Sequence, residues 1–470
     1  MSRWLRGLVG VSIFLAGATA TFLTPAAAAD RRASSGIVLK IKRPTKASIS
    51  SDFVGLTFEA TALGRPYLDP AQSNLPSYLA ELGHGNLRFG GQTSDLNAFW
   101  QPNASVPFPA WASSAVTPSE LATVGGLAGV TGWSVDLGVN LLHFDPAAAA
   151  NEVQVAQSIL GSSLHSVELG NEPDLYFFFV GSDAGAPTTF PAYQVNWNAY
   201  QAAIKAVDPG VSISGPDFYL TYWLSSLNKR NEQGLSDFTQ HFYPLADCFG
   251  TTVSPAQLLS TASTASEDSL IAAAKAAAKK GRHALVLDEL NSISCGSTSP
   301  AAWEFASALW AVHALLQAAS DGVASVNIQM NPSNCQSYTP LCVPDPSAPG
   351  TVEARPIFSG MRLVSSLEGG TLLKTVTSSV QNLPVGVSNY AVRMPNGNVG
   401  VVVINSTSSD VAQLSLQLDA TAHIVSTQQL QAPSLDATNG VTLATSTPIS
   451  SAPTGLSVPA DSATVFTLAP

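Results

Sequence analysis

The sequence predicts an α/β protein: a (β/α)8 barrel of the TIM type with a C-terminal antiparallel β-sandwich domain. Three observations predict it. Eight short apolar segments recur through residues 50–352, each separated from the next by a helix-compatible stretch. Most of these segments are unalternated, as expected of parallel strands covered on both faces. Past about Arg355 the composition turns to Ser, Thr, Val and Leu in alternating segments, and helix-compatible runs stop after Leu367.

Taken in order, the chain opens on Arg3 and Arg6, an apolar run over 7–23 and the small residues of 26–29. This reads as a signal peptide over 1–29 and predicts a secreted or periplasmic protein. No other stretch is apolar for long enough to span a membrane. Residues 36–48 begin with strand-like alternation, precede the barrel and are expected to join the sandwich. The barrel strands are expected at 54–59, 86–90, 139–144, 166–172, 211–216, 238–243, 284–289 and 324–329. Two helices are legible between them. Residues 255–280 are Ala-rich, with Lys275, Lys279 and Lys280 near the end and Gly281 as the stop. Residues 301–320 carry Trp303, Leu309, Trp310, His313 and Leu316 at helical spacing. The last barrel helix falls near 356–367, within a second domain spanning 353–470. Its alternating strands are expected at 390–394, 399–404, 412–418 and 463–468, with the turn residues Pro395-Asn-Gly-Asn398 after the first.

Charged residues make up only 11% of the chain while Gly and Pro number 35 and 31, which describes a loop-rich globular protein with a large core. The formal charge of -11 argues against nucleic acid or other polyanions as broad surface partners. An exported chain can form disulfides, and there are four cysteines. Cys335 and Cys342 are close enough to staple one loop. Cys248 and Cys295 remain for each other, each following a strand in adjacent barrel positions. A metal site is the competing reading, but neither pair has C-x-x-C spacing.

The chemistry gathers at two strand ends. Val167-Glu-Leu-Gly-Asn-Glu-Pro173 is an apolar strand that stops at Glu172, where Pro173 has no N–H to continue the ladder. The segment 282–289 likewise runs apolar into Glu289. In a parallel barrel all strands point their C-terminal ends at one mouth, so these two carboxyls face one cleft. Two such carboxyls are the minimum equipment for glycoside hydrolysis, retaining at about 5–5.5 Å separation and inverting at about 6.5–9.5 Å. Asp288 has the opposite strand parity to Glu289 and is expected to point at the helix layer, toward a buried cation. Glu168 lies deeper in its strand and is expected to pair with Arg88 in a structural role. His143 and His241 end strands and His313 sits on a helix; together they are a weak metal signal, and neither metal nor cofactor is expected.

The block Leu87-Arg-Phe-Gly-Gly-Gln-Thr-Ser-Asp95, with the Glu172 segment, His241-Phe-Tyr243 and Leu287-Asp-Glu289, resembles glycoside hydrolase family 79, which contains the β-glucuronidases and heparanase. The resemblance extends over the barrel, and the family's barrel-plus-sandwich layout matches the remainder. It implies that Glu172 is the general acid/base and Glu289 the nucleophile. It further implies that Asn171 binds the sugar 2-OH, that Tyr243 donates to the nucleophile, and that Glu59 and Gln92 hold sugar hydroxyls. In the family a tyrosine and glycine backbone groups after the nucleophile recognise a uronate carboxylate. Here Ser294 stands where that tyrosine is expected, Gly296 is retained, and Tyr338 could supply the hydroxyl from the loop after strand eight.

These expectations add up to a retaining exo-β-glucuronidase that releases terminal glucuronic acid from glucuronides or glycan chain ends. An endo-β-glucuronidase, or a β-xylosidase or β-glucosidase on the same scaffold, is the alternative. A non-catalytic carbohydrate-binding protein is the reading from a different class, though a binder has no need for both Glu172 and Glu289.

Overall fold

The eight predicted alternations close into a barrel. A computed structural model describes residues 37–180, 186–227, 234–248, 250–296, 298–377, 383–418, 422–447 and 451–469. The leader reading of residues 1–29 lies outside the described residues. The barrel strands are Val54–Glu59, Asn86–Gly90, Ser134–Val139, Leu164–Leu169, Ile213–Phe218, Asp237–Phe242, Ala284–Leu290 and Ser325–Gln329. Each pairs in parallel with its neighbour in the chain, and the last closes on the first.

Three strands start two or more residues away from where the sequence suggests. The third is Ser134–Val139 rather than 139–144. The apolar residues Leu141 and Leu142 are buried in the loop that follows it, their N–H groups donating to Asp95 Oδ1 at 2.8 and 3.2 Å. A side chain thus satisfies backbone that would otherwise need a ladder, and burial alone made the run look like a strand. The fourth strand ends at Leu169, with Gly170 turning the chain at φ 79°, and the fifth runs Ile213–Phe218. The Ala-rich helix is also interrupted. It divides into Pro255–Leu258 and Thr261–Gly281, because the Ser260 hydroxyl caps the second helix by accepting from the Ser263 N–H.

Among the described residues, nine strands form the second layer, in the order Thr442–Ser446, His423–Gln431, Ser462–Ala469, Val399–Asn405, Val387–Arg393, Thr371–Thr377, Val38–Ser48, Val411–Gln417 and Leu456–Val458. All neighbours are antiparallel except Val38–Ser48 with Val411–Gln417. Val399–Asn405 is buried along its whole length. Val402 and Ile404 join the core shared with the barrel helices, while Val401 and Val403 face a second core with Leu39, Leu414, Val458 and Phe466. That second core draws on strands from both ends of the sheet, so the sheet folds over itself as a sandwich. Helix Phe305–Asp321 lies between the barrel and this layer and is buried on nearly every face. Both disulfides are present, Cys248–Cys295 and Cys335–Cys342. Among the described residues, no helix is long and apolar enough to cross a membrane.

At the end of the barrel where the strands begin, His165 Nδ1 lies 2.9 Å from Asp136 Oδ1. That hydrogen bond, followed by the Asp136 charge, raises the imidazole to about 9. Its folded value exceeds the unfolded value of about 6.5, so its stabilisation is complete below that pH and is lost as pH rises through about 9. The urea midpoint should therefore decline from pH 6.5 to 9 in the wild type and decline less in His165→Gln. The effect is small because the side chain is half exposed. Identical slopes would refute it.

Candidate active site

The candidate carboxyls meet at the mouth where the barrel strands end. The fourth strand is finished three residues before Glu172, which adopts a left-handed backbone (φ 48°) and donates its N–H to Asp217 O at 2.9 Å. Non-glycine residues rarely hold this conformation. Glu289 lies within the seventh strand. One oxygen each of Glu172 and Glu289 and one nitrogen of His241 lie within 4.8 Å of one another.

Arg88 organises the surrounding charges. Its guanidinium is fully buried: Nε lies 2.6 Å from Glu168 and 3.2 Å from Asp288, Nη1 3.0 Å from Glu289, and Nη2 donates to Asn171 Oδ1 at 3.1 Å. The expected Arg88–Glu168 pair is there. It is not separate from the site, however, because the same fork reaches Glu289 and Asn171. Asp288 does not point at the helix layer. Strand pairing slips between Val286 and Glu289 on one side and between Leu287 and Leu290 on the other. The slip breaks strict alternation, so Asp288 and Glu289 both reach the barrel interior. The buried cation predicted for Asp288 is Arg88 itself. Burial opposes ionisation of Asp288, but Arg88 and His241 together hold its carboxyl below the usual range.

The two glutamates have different partners. Glu289 Oε1 accepts from the Tyr243 hydroxyl at 2.8 Å and Oε2 from Arg88, so both oxygens are aimed. Glu172 Oε1 sits 3.0 Å from His241 Nδ1. Burial raises the Glu172 carboxyl above the usual range; His241 works against this and the Glu289 charge adds to it. Burial alone would lower His241, but Glu289 and Asp288 outweigh it and push the imidazole well above its usual value. A protonated His241 then donates to Glu172.

The remaining candidates are spread around this pair. Asn171 is buried, its N–H donating to Asp95 Oδ2 at 2.7 Å and its side chain held by Arg88. Glu59 ends the first strand and accepts from the Thr93 N–H and hydroxyl at 2.8 and 2.7 Å and from Gln329 at 3.2 Å. Burial, then the Glu289 charge, raises it to about 7. Gly91 lets the chain pass this carboxyl, since a Cβ there would sit 2.6 Å from it. Gln92 begins the next short helix and is exposed. Gly296 lies under the Tyr338 ring, where a Cβ would come within 1.9 Å, and Tyr338 in turn packs edge-on to Tyr243 at 6.1 Å.

Sequence reasoning missed Thr93, Asp95 and Tyr219. Thr93 and Asp95 belong to the quoted Leu87–Asp95 block, yet only the structure gives them partners: Asp95 accepts from Asn171, Leu141, Leu142 and the Tyr176 hydroxyl. Tyr219 lies beside Tyr243, with ring centroids 6.3 Å apart. His313 packs between helix and sheet, with Nδ1 3.0 Å from Ser388 Oγ. Glu172, His241 and Glu289 could together offer three metal-ligand atoms. The Arg88 guanidinium, 3.0 Å from Glu289 and 3.3 Å from His241, already supplies positive charge at that point and would repel a metal ion.

No protein-family model and no curated protein sequence matches this chain. Solved structures do. A 4-O-α-L-rhamnosyl-β-D-glucuronidase from Fusarium oxysporum superposes with a TM-score of 0.71 at 18% identity, over 92% of this chain and 100% of that one. An α-L-arabinofuranosidase from Thermotoga maritima gives 0.69 at 15% identity, over 92% and 99%. A monomeric β-xylosidase from Caulobacter crescentus gives 0.60 at 14% identity, over 92% and 99%. At such identities the likeness is one of fold: this chain shares its barrel-plus-sheet architecture with glycoside hydrolases that act on different sugars.

Proposed function

We propose that this protein is a retaining glycoside hydrolase releasing terminal β-linked glucuronic acid. The observation that carries the reading is the approach of the Glu172 and Glu289 oxygens to within 4.8 Å. This favours direct attack over a water held between the carboxyls. Glu289 attacks the anomeric carbon while Glu172 gives its proton to the departing glycosidic oxygen. Forming the ester consumes the Glu289 charge, which had helped to hold the Glu172 carboxyl up. Glu172, now an easier base to keep ionised, takes a proton from water. The water oxygen bonds the anomeric carbon and Glu289 leaves, restoring both groups. Tyr338 and the Gly296 backbone are the proposed holders of the uronate carboxylate; Asn171, Glu59 and Gln92 are those of the hydroxyls. The leader-like N-terminus and the two disulfides support an exported protein.

One observation favours a second reading. Arg88 and His241, the cations described at the site, are both engaged by protein carboxylates, and the Ser294 hydroxyl donates to Leu245 O at 3.4 Å. A neutral glycoside, such as a xyloside or glucoside, would need no further cation. Hydrolysis of a panel of aryl β-glycosides, with the product anomer followed by NMR, decides between the two. Glucuronide preference with retention supports the first reading, a neutral-sugar preference the second, and inversion would overturn the mechanism.

The Glu172→Ala variant tests the acid/base role. Turnover of an alkyl glycoside should fall by about 10²–10⁴-fold. Aryl glycosides with acidic phenols should suffer less, and azide should restore turnover with a β-azide product. In the wild type kcat/KM should survive above the usual carboxylate range and fall as pH rises through the raised Glu172 value. That limb should be missing from the variant; its persistence would point to a different acid.

A further inference from the structure

A cavity of about 350 Å³ opens between the loop after the second barrel strand and helix Pro146–Leu160. That size falls among small-molecule sites, about 300–1,000 Å³. Its wall is aromatic and held in place. The Trp111 indole stacks on His143 with centroids 3.8 Å apart and planes at 11°, and meets Phe99 edge-on at 5.9 Å. Trp100 Nε1 donates to Asn151 Oδ1 at 2.8 Å. Phe144 completes the rim.

The polar groups facing this cavity decide what it can take. Ser94 donates its hydroxyl to Gly91 O. The Asn140 amide bonds the carbonyls of Ser94 and Asp95 and the His143 N–H. Asp145 caps its helix through the Ala148 N–H. Those side chains have their partners within the protein. Glu152 differs: it is 6% exposed and lines the cavity, and burial is the only influence on its carboxyl, raising it to about 8. Among the described residues, a sugar ring would bring several hydroxyls to a mostly aromatic wall where Glu152, the His143 ring and the Trp111 N–H are left to pair with them, and most of the hydroxyls would stay unpaired, at considerable cost. At Glu152 an ammonium would require an ionised carboxylate where burial keeps the acid neutral.

We propose that this cavity is a binding site for a flat aromatic molecule carrying one hydroxyl, its ring against Trp111 and Trp100 and its hydroxyl on Glu152. The site adjoins the candidate active site through a thin wall. Ala60 and Ser94 face the cavity, while their neighbours Glu59, Thr93 and Asp95 face the carboxylate cluster.

Isothermal titration of the full chain with 2-naphthol, 2-methoxynaphthalene and glucose at pH 6.5 tests this without reference to catalysis. One saturable 2-naphthol site is expected, with the methyl ether roughly five- to tenfold weaker for want of the donor. Glu152→Leu should bring 2-naphthol down to the level of the ether and leave the ether unchanged, while Trp111→Ala should weaken both. Both substituted side chains border an existing cavity, and the thermal midpoint of each variant checks its fold. No saturable 2-naphthol site, tighter binding of glucose, or 2-naphthol binding unaltered by both substitutions would each overturn the proposal.

Discussion

Glu289→Ala should be inactive toward every glycoside the wild type cleaves, with kcat lower by about 10⁴-fold or more, the scale on which loss of a covalent nucleophile acts. The geometry explains the size. Both oxygens of Glu289 are fixed by separate donors, Tyr243 at 2.8 Å and Arg88 at 3.0 Å. A side chain held in this way approaches the anomeric carbon without first being ordered. Removing it leaves Glu172 able to protonate a leaving group with nothing to trap the developing cation. Added azide should then restore turnover of an activated β-glycoside and give the α-azide, because the small anion enters from the vacated side. Residual wild-type-like activity with β-configured product would assign the nucleophile elsewhere. Glu59 would be the next candidate, since burial holds it near 7 and it also ends a barrel strand.

The parts of this site that were legible in the sequence are those where chemistry and strand position coincide. Glu172 and Glu289 stood out because a carboxylate closing an apolar run is costly unless it is used. Their convergence followed from parallel closure alone. What stayed hidden depends on local departures from regular structure. Asp288 was assigned to the helix layer by strict alternation, and the register slip beside it cannot be read from side-chain types. The third strand was displaced because Leu141 and Leu142 look like strand residues, whereas Asp95, 46 positions before Leu141, supplies the hydrogen bonds that let them be loop. Thr93 was passed over for Gln92, its neighbour, although Thr93 is the residue that grips Glu59. Choosing between adjacent polar residues needs the direction of a helix start, which depends on Gly91 and its φ of 67°.

The second large effect is on stability, from Arg88→Met. This substitution keeps most of the side-chain volume and removes the cation that Glu168, Asp288 and Glu289 share. Breaking a buried pair by deleting one partner costs about 3–5 kcal/mol, because the charges left behind have neither water nor a counter-ion. Here the deletion leaves buried Asp288 with His241 alone, and takes from buried Glu168 the cation that opposes the burial already raising its carboxyl to about 8. Asp288 also sets the sign of the pH dependence. Its folded value is depressed, so its contribution is present above the unfolded value of about 3.9 and is lost as pH falls through the lower folded one. Without Arg88 much of that depression disappears. The gap in urea midpoint between wild type and variant should therefore be wide at pH 7 and narrow as the medium is acidified toward pH 4. A compensating change should recover part of the loss: Glu168→Gln in the Arg88→Met background removes a buried carboxyl that has lost its partner and should raise the midpoint again, whereas Glu168→Gln alone should lower it. The folded fraction of Arg88→Met should also show reduced kcat, since Glu289 loses one of its two donors and the Asn171 side chain loses the guanidinium that holds it. A variant as stable as the wild type at pH 7, with kcat unchanged, would mean that the carboxyls around Arg88 are already neutral and that the guanidinium balances no charge there.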